Sequence, residues 1–318
     1  MHATLIAENY AGMLSQGRGL LERAGFSWDF QPVNFKKNSS FSSLKFRLGA
    51  DPLKYVNPLT VKAESDFLVS IGGKGAIIGK ALGSICKLPV IQIQNPRISL
   101  KNFALVIANH HDKLKGENVF AIRTALHGVT DQALLQARHK WFSRLIGGES
   151  KILGVLLGGS NGRYVFGEKE AVFIAHQIQA FITAHNMSCI ITPSRRTDPR
   201  ALNRMEKILT PYNVRILKGE GEDNPYLGIL ACSDCLAVTE DSVSMISEAI
   251  ATRLPVGILP LSGQSSRLKY FINILKTENR VTSFGVNMKI NHTEKLDDTP
   301  LAVEEIKRRI FLLRKSLA

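Results

Sequence analysis

The chain of 318 residues is 44% hydrophobic and 21% charged, a composition typical of a globular protein large enough for two domains. It has no run of eighteen apolar residues, which argues against a membrane-spanning helix, and its four cysteines are too few for a disulfide scaffold and indicate a reducing compartment. Residues 1–146 hold 19 Lys and Arg against 9 Asp and Glu, so they carry +10 of the formal net charge of +14. This surplus favours an anionic partner such as phosphate, anionic lipid or nucleic acid.

The first half of the sequence alternates short apolar runs with helical stretches. Strands are predicted at 3–8, 28–33, 66–73, 89–95, 103–110 and 118–124, and helices at 13–24, 75–86 and 130–146. The opening MHATLIAENYAG lacks the basic and apolar regions of a secretory signal and is interpreted as a first strand. The segment 34–58 is basic, rich in Ser and dotted with Phe, and it has no regular period.

The second half has a more regular alternation. Strands are predicted at 151–160, 188–195, 213–219, 235–241 and 255–261, and helices at 168–185, 198–209, 225–232, 242–252 and 267–278. A closing helix places Ile306, Ile310, Leu313 and Leu317 on one face and is expected to pack back on the protein, with a membrane contact as the alternative. Apolar strands separated by helices predict parallel sheets covered on both faces.

The fold class predicted from this pattern is α/β, with two doubly wound Rossmann-like domains facing across a cleft. The first domain is predicted at 1–146, on the acceptor side, and the second at 151–283, on the donor side. A tail and helix at 284–318 complete the chain, and the polar residues 147–150 are the hinge candidate.

Four polar strand ends in the second half are the main candidates for a ligand site, because ligands bind beyond the carboxyl ends of strands in such sheets. The first is LLGGSNGRY (156–164), where glycines allow close backbone approach and Ser and Asn add donors for an anion. The candidate residues are Gly158, Gly159, Ser160 and Asn161, and a plain turn is the alternative. Neither a GxGxxG fingerprint nor a P-loop lysine is present.

The second and third strand ends carry arginines and a helix start. In TPSRRTD (192–198), Ser194 precedes Arg195 and Arg196, which could fork onto a phosphate or carboxylate. A solvated loop that caps the next helix is the alternative. In GEGEDNPYLG (219–228), Asn224-Pro225 starts a helix that could close over a base or a sugar, and a plain turn is the alternative.

The fourth strand end is VTEDSVSMISEA (238–249), where an apolar run stops at Asp241 and a helix begins with Ser242 as its N-cap. The positive end of that helix would suit a diphosphate. Ser244 and Glu248 lie on one helix face, so the carboxylate could accept hydrogen bonds from both ribose hydroxyls. A salt bridge from Glu248 to a basic neighbour is the alternative.

The first half offers weaker candidates. Gly73 and Lys74 lie in a Gly-rich turn at a helix entry, where an anionic acceptor could bind, although a plain surface lysine is the alternative. His111 beside Asp112 follows an apolar strand and could act as a general base. No further side chains are spaced as metal ligands, so no metal site is predicted. The single CxxC at 232–235 is interpreted as a pair of buried thiols, with redox or metal chemistry as the alternative.

Several motifs resemble, in order and spacing, the elongated-mitochondria family named for mitochondrial fission in plants, and in particular its bacterial branch. They are NYAGMLSQGRGLLE, QNPR, ENVFAIRTALHGVT, LLGGSNGRY, TPSRRTDPRAL, EDNPYLGILACSD and VTEDSVSMISEAIATRLPV. The resemblance covers almost the whole chain. In two departures, Glu8-Asn9-Tyr10 replaces an Asp-Gly-Arg-type opening, and Arg253-Leu254 stands where the donor motif usually has Gly.

This family resembles GT-B glycosyltransferases, and SVSMISEAIATRLPV is similar to the donor-binding helix of the enzyme that adds N-acetylglucosamine to lipid-linked peptidoglycan precursors. The resemblance implies that Glu248 holds the ribose, and that Ser242, Ser244 and the loop 158–160 hold the diphosphate. The plant members are associated with the recruitment of fission machinery. A non-catalytic, membrane-associated adaptor is therefore the alternative function.

The sequence as a whole predicts a glycosyltransferase that moves a sugar from a nucleotide-activated donor to a cell-envelope or lipid-linked acceptor. The helix N-terminus and Arg195 or Arg196 would stabilise the diphosphate leaving group, with no obligatory cofactor or metal. His111, paired with Asp112, would deprotonate the acceptor hydroxyl. The basic first domain, with segment 34–58, would meet an anionic lipid, so a cytoplasmic location, peripheral at the inner face of the membrane, is expected. Nucleic-acid binding is less favoured, because the basic residues are dispersed.

Overall fold

The computed structural model describes residues 1–36, 46, 50–146 and 151–315. Its strands are β1 (His2–Ala7), β2 (Ser27–Pro32), β3 (Phe67–Ile71), β4 (Val90–Ile93), β5 (Leu105–Asn109), β6 (Val119–Ile122), β7 (Ile152–Leu157), β8 (Tyr164–Val165), β9 (Ser188–Pro193), β10 (Val214–Ile216), β11 (Cys235–Thr239), β12 (Val256–Leu259), β13 (Ser262–Gly263) and β14 (Thr282–Ser283). Its helices are α1 (Ala11–Ala24), α2 (Gly72–Cys86), α3 (Asp131–Leu145), α4 (Glu168–His185), α5 (Pro199–Leu209), α6 (Tyr226–Cys232), α7 (Val243–Ile250), α8 (Ser266–Thr277) and α9 (Thr299–Lys315). The predicted hinge at 147–150, parts of the segment 34–58 and Leu317 lie outside the described residues.

The chain divides into two compact units, of which the first comprises Met1–Gly128 and Asp298–Ala318. Its six-stranded sheet has the order β2-β1-β3-β4-β5-β6, and every neighbouring pair is parallel. The central strands β1, β3, β4 and β5 are apolar and buried, as expected where helices cover both faces of a sheet, whereas the edge strands β2 and β6 are mostly half-buried. The order reverses between β1 and β3, and this topological switch point is where open α/β sheets bind their ligands.

The second unit comprises Val129–Asp297 and contains a parallel sheet with the order β10-β9-β7-β11-β12-β14. Renumbered within the unit, these strands run 3-2-1-4-5-6, the order of dinucleotide-binding Rossmann sheets. The switch point lies between β7 and β11. Most of these strands overlap predicted ones, but the short β14 and the antiparallel pair β8–β13 were not predicted. The predicted class, α/β with two doubly wound Rossmann-like domains, is confirmed.

Helix α3 belongs to the second unit, whereas the sequence placed it at the end of a first domain reaching residue 146. Trp141 packs directly on α6, and a Cβ atom at Gly228 would lie only 2.4 Å from the Trp141 Cγ atom. Trp141 and Leu145 are both buried in the apolar cluster that covers one face of the second sheet. The division between units therefore falls before α3, at 128–129, because the buried side chains of the helix pack on the second sheet.

Helix α9 returns the chain to the first unit, where Ile306 and Ile310 are buried in one apolar cluster with α1. At its start the Asp298 carboxylate accepts hydrogen bonds from Arg123, with 2.7 Å between Nη2 and Oδ1 and 2.6 Å between the backbone N and Oδ2. The sequence predicted residues 284–318 as one separate segment. In the structure, residues up to Asp297 belong to the second unit and residues from Asp298 belong to the first. Within the described ranges, no helix is long and apolar enough to cross a membrane.

Candidate functional site

The switch point of the second sheet brings together two of the predicted strand ends. Because β7 and β11 are parallel neighbours, their carboxyl ends lie side by side, and the loop after each strand begins there. The loop after β7 starts with Gly158, and the loop after β11 reaches Asp241. Strand β9 is the other neighbour of β7 and adds the residues that follow Pro193. The fold thus places side chains from three loops at one edge.

A buried carboxylate is the centre of this edge. The Asp241 side chain is 0% exposed, and its Oδ2 atom lies 2.7 Å from the Arg196 Nη2 atom. The carboxylate also accepts hydrogen bonds from the Thr239 hydroxyl at 2.7 Å and from the Gly159 backbone N–H at 3.2 Å. The Gly158 N–H in turn donates to the Thr239 hydroxyl at 2.7 Å. In this conformation both glycine N–H groups are therefore engaged by protein acceptors.

Both glycines are required by this packing. A Cβ atom at Gly158 would lie 2.1 Å from the Asp241 Oδ1 atom, and one at Gly159 would lie 2.1 Å from the Arg196 carbonyl oxygen. The sequence interpretation assigned these glycines to close approach of a ligand. The structure supplies a different reason, which is close approach of Asp241 and of the loop after β9.

The adjacent arginines have different surroundings. Arg196 is tied to Asp241 and also donates from Nη1 to the Gly159 carbonyl oxygen at 3.0 Å. Arg195 is exposed, and among the described residues it has neither a hydrogen bond nor an ion pair. Ser194 accepts a hydrogen bond from the Arg196 N–H at 3.2 Å, which shapes the turn. Of the two predicted guanidinium groups, Arg195 is thus the one with its donors available to an anion.

The loop after β7 continues with two exposed polar residues. The Ser160 hydroxyl accepts a hydrogen bond from the Phe166 N–H at 2.9 Å, and it retains its own proton as a donor. Asn161 Oδ1 accepts from the N–H groups of Arg163 and Tyr164, at 2.9 and 3.0 Å, and so closes a turn. Both residues thus form hydrogen bonds within the loop and are exposed to solvent near the strand ends.

Helix α7 begins at the same edge, immediately after β11. The Ser242 hydroxyl caps it by accepting from the Met245 N–H at 3.3 Å, as the sequence predicted. Further along, the Glu248 side chain accepts a 2.5 Å hydrogen bond from the Tyr226 hydroxyl and is only 7% exposed. Ser244, one turn earlier, is half-buried. The helix therefore presents its N-terminal dipole and one oriented carboxylate.

Tyr226 is the residue that sequence reasoning missed. It opens helix α6, where Asn224 Oδ1 accepts a hydrogen bond from its N–H at 3.0 Å. Desolvation, followed by the charge of Glu248, raises the pKa of the Tyr226 hydroxyl well above its ordinary value, so it remains a proton donor to that carboxylate. The Asn-Pro-Tyr start of a helix was visible in the sequence, but its contact with α7 depends on the sheet order.

The predicted residues of the first unit lie in two places. Lys74, at the start of α2, forms a 2.7 Å ion pair with Glu8 across the switch point, and its Nζ atom lies 4.7 Å from the centre of the Phe35 ring. Gly73, beside it, is half-buried. His111 lies with Asp112 in the short 3-10 helix His110–Asp112 after β5 and is 9% exposed.

The CxxC cysteines are both buried, as predicted. Cys232 ends α6 and Cys235 begins β11, and both are free thiols. Burial raises the pKa of the Cys235 thiol to about 12, which keeps it protonated at neutral pH. A thiolate is the reactive and metal-binding form, so this environment suits a packing role.

Comparison with protein families gives a match over residues 11–310 to the family described as mitochondrial fission ELM1. The mitochondrial fission protein ELM1 of Arabidopsis thaliana is 26% identical over 248 residues, which cover 70% of this chain and 58% of that protein. An uncharacterized protein of Rickettsia prowazekii is 26% identical over 217 residues, covering 66% and 60% of the two chains. The chain thus spans less than two thirds of the length of these curated relatives.

Solved structures share the fold at low identity. A UDP-GlcNAc 2-epimerase from Methanocaldococcus jannaschii, solved in complex with UDP-GlcNAc and UDP, has a TM-score of 0.55 at 16% identity and covers 98% of this chain and 100% of its own. MurG from Acinetobacter baumannii has a TM-score of 0.53 at 10% identity, with coverage of 96% and 89%. Together with the two Rossmann-like sheets, these matches show a GT-B-like fold. The chain belongs to the mitochondrial fission ELM1 family, as its resemblance to the bacterial branch predicted.

Proposed function

We propose that the second unit binds a nucleotide-activated sugar at the carboxyl edge of its sheet, and that the protein transfers the sugar to a cell-envelope or lipid-linked acceptor. The observation that carries this proposal is the coincidence of the sheet's switch point with a capped helix N-terminus, an available guanidinium and an oriented carboxylate. Fold relatives that were solved with UDP-GlcNAc and UDP support the choice of ligand class.

In the proposed complex, Arg195, Ser242 and Ser244 bind the diphosphate together with the N-terminal dipole of α7. Glu248 accepts hydrogen bonds from the ribose, and the Tyr226 hydroxyl sets the direction of its carboxylate. Ser160 and Asn161 add donors at the exposed side. Arg196 and Asp241 support the site without contacting the ligand, because their ion-paired side chains hydrogen-bond to the backbone of Gly159 and hold this part of the loop in position.

In the proposed reaction, the acceptor hydroxyl oxygen attacks the anomeric carbon while the bond from that carbon to the diphosphate oxygen breaks. The negative charge that develops on the diphosphate is stabilised by Arg195 and by the N-terminus of α7. His111, next to Asp112, takes the proton of the acceptor hydroxyl. No metal ion or cofactor has a required role in this scheme.

The proposal is tested by thermal-shift and calorimetric titration with UDP, GDP, CMP and their sugars. One nucleotide should stabilise the folded protein by about 2.7 kcal/mol at a hundredfold excess over its Kd. Glu248→Gln should weaken binding about tenfold or more, because a charged acceptor of ligand hydrogen bonds is lost. Glu206→Gln, an exposed carboxylate on α5, is the matched control and should bind as wild type.

A flat response from folded protein would contradict nucleotide binding. The family match favours a second candidate in that case, a non-catalytic adaptor of the mitochondrial-fission type that associates with membranes. The adaptor predicts capture of a defined partner that survives Glu248→Gln and is indifferent to nucleotides.

Peripheral association with an anionic membrane is the remaining part of the proposal. The first unit holds 21 Lys and Arg against 11 Asp and Glu, a net charge of +10, whereas the second unit holds 20 against 16, a net charge of +4. Anionic surfaces attract such a charge within a Debye length. Co-sedimentation with liposomes should increase with their content of anionic lipid, and binding indifferent to that content would remove this part.

A further inference from the structure

Helix α2 packs closely on the sheet through glycines on its inward face, and its other face is directed away from the sheet. A Cβ atom at Gly79 would lie 2.6 Å from the Ser70 Cβ atom, and one at Gly83 would lie 2.4 Å from the Val90 Cγ2 atom. These glycines, spaced four residues apart, let the helix lie close to β3 and β4. The opposite side of the helix wheel carries Ile77 and Ala81, and Lys80 lies at the edge between the two faces.

A cavity of about 720 Å³ lies over this outward face, within the first unit. Among the described residues, its apolar lining comes from Phe46, Ala50, Pro52, Ile77, Ala81 and Ile98. A volume of this size falls in the range of natural small-molecule sites, which are mostly apolar with a few polar groups that orient the ligand. The cavity is thus large enough for an organic ligand with a substantial apolar part.

Two cations line the same cavity, and among the described residues neither has an ion-pair partner. They are Lys80 from α2 and Arg97 from the loop after β4. The backbone of Arg97 has a left-handed φ of 57°, and its N–H donates to Asn95 Oδ1 at 2.9 Å, so a tight turn defines where this residue projects. A carboxylate also lines the cavity, that of Asp51, but it caps a 3-10 helix by accepting from the Leu53 N–H at 2.9 Å.

We propose that this cavity binds a single-chain lipid phosphate, whose phosphate is held by Lys80 and Arg97 and whose chain lies along Ile77, Ala81 and Ile98. Inorganic phosphate would contact only the two cations, and a neutral isoprenoid alcohol would contact only the apolar lining. A lipid phosphate uses both. The role of this ligand as the lipid anchor of the acceptor rests on the proposed function. The proposal places the anionic group of the acceptor at Lys80 and Arg97 and not at Lys74, because the charge of Lys74 is paired with Glu8.

The test is calorimetric titration of the full chain, without nucleotide, with farnesyl monophosphate, farnesol and inorganic phosphate. Farnesyl monophosphate should bind saturably and at least about tenfold more tightly than either of the others. Lys80→Met and Arg97→Asn should each weaken it about tenfold, because a charge-assisted hydrogen bond to phosphate is lost. Asn is chosen because it tolerates left-handed backbone. Lys115→Met, an exposed lysine of the same unit outside the cavity, should bind as wild type.

A second variant separates the cavity from general surface charge. Ala81→Phe fills the cavity from the outer face of the helix while leaving both cations, and it should abolish binding of farnesyl monophosphate. Equal affinity for inorganic phosphate and farnesyl monophosphate, or binding only to anionic vesicles that Ala81→Phe does not change, would overturn the proposal. Because these titrations contain no nucleotide, their failure and a failure of the nucleotide panel are separate results.

Discussion

The residues at the edge of the second sheet show that adjacent side chains of one motif can have different tasks. The sequence predicted that Arg195 and Arg196 both meet a ligand, since both follow the same strand. Arg196 is instead held by the buried Asp241 carboxylate. The presence of polar strand ends could be predicted from local pattern, but this pairing could not. It depends on β7 lying between β9 and β11, which only the folded sheet determines.

Because Arg196 pairs with a buried carboxylate and Arg195 is exposed, substitutions of these two residues should have opposite effects on stability and on nucleotide binding. Arg196→Met should lower the free energy of unfolding by roughly 2 kcal/mol, because it leaves a fully buried carboxylate without its cation; the loss is less than for a completely buried pair, since Arg196 is 41% exposed. Arg195→Met should change stability by no more than about 0.5 kcal/mol and should instead weaken nucleotide binding. Urea denaturation and calorimetry of both variants check this, and equal loss of stability in the two would contradict it.

Cys235 predicts a dependence of stability on alkaline pH. Its pKa is raised by burial from 9.0 to about 12, so between these values the folded thiol keeps a proton that the unfolded thiol has lost. The stabilisation is therefore complete below pH 9 and decreases as pH rises toward about 12. Its slope approaches about 1.4 kcal/mol per pH unit. Denaturation curves across this range should show a flatter decline for Cys235→Ala than for wild type, and parallel declines would refute the assignment.

At the scale of elements, the alternation of apolar runs and helical stretches was enough to predict most strands of both sheets. Where it failed, the elements are two residues long, as in β8, β13 and β14, and carry no period that a sequence pattern can reveal. Helix α2 shows what the pattern does not encode. The sequence interpretation considered only the Gly-rich turn at its entry, as a possible anion site, whereas Gly79 and Gly83 further along the helix allow close contact between the helix and the sheet.

The packing of α2 predicts that a helix-favouring substitution will destabilise the protein. Alanine gains about 1 kcal/mol over glycine in helix propensity, but at Gly79 its Cβ would lie 2.6 Å from the Ser70 Cβ atom. Overpacking of this kind costs about 1–3 kcal/mol, so Gly79→Ala should be less stable than wild type by about 1 kcal/mol in thermal or urea denaturation. Ser84→Ala, on the exposed side of the same helix, should be neutral or slightly stabilising. A stabilised Gly79→Ala would show that the helix does not lie this close to the sheet.

At the scale of the whole molecule, each unit carries its own sheet and its own apolar clusters, and the chain passes from the first to the second and back. The predicted boundary at 146 relied on the hinge-like composition of the polar stretch 147–150. The large side chain of Trp141 was the sequence feature that indicated where helix α3 packs. Trp141 needs a partner surface, and the missing Cβ of Gly228 provides the space for its ring.

The assignment of α3 to the second unit predicts that fragment 129–297 folds on its own and that fragment 147–297 does not. Removal of α3 takes away the burial of Ala137, Trp141 and Leu145, and loss of a buried Trp side chain alone costs about 3–5 kcal/mol. That loss is comparable to the whole stability of a typical domain, about 5–15 kcal/mol. The longer fragment should therefore unfold cooperatively in urea and, because it contains every proposed donor residue, respond to the same nucleotide as the full chain. Cooperative unfolding of the shorter fragment at the same midpoint would mean that α3 is dispensable to the second core.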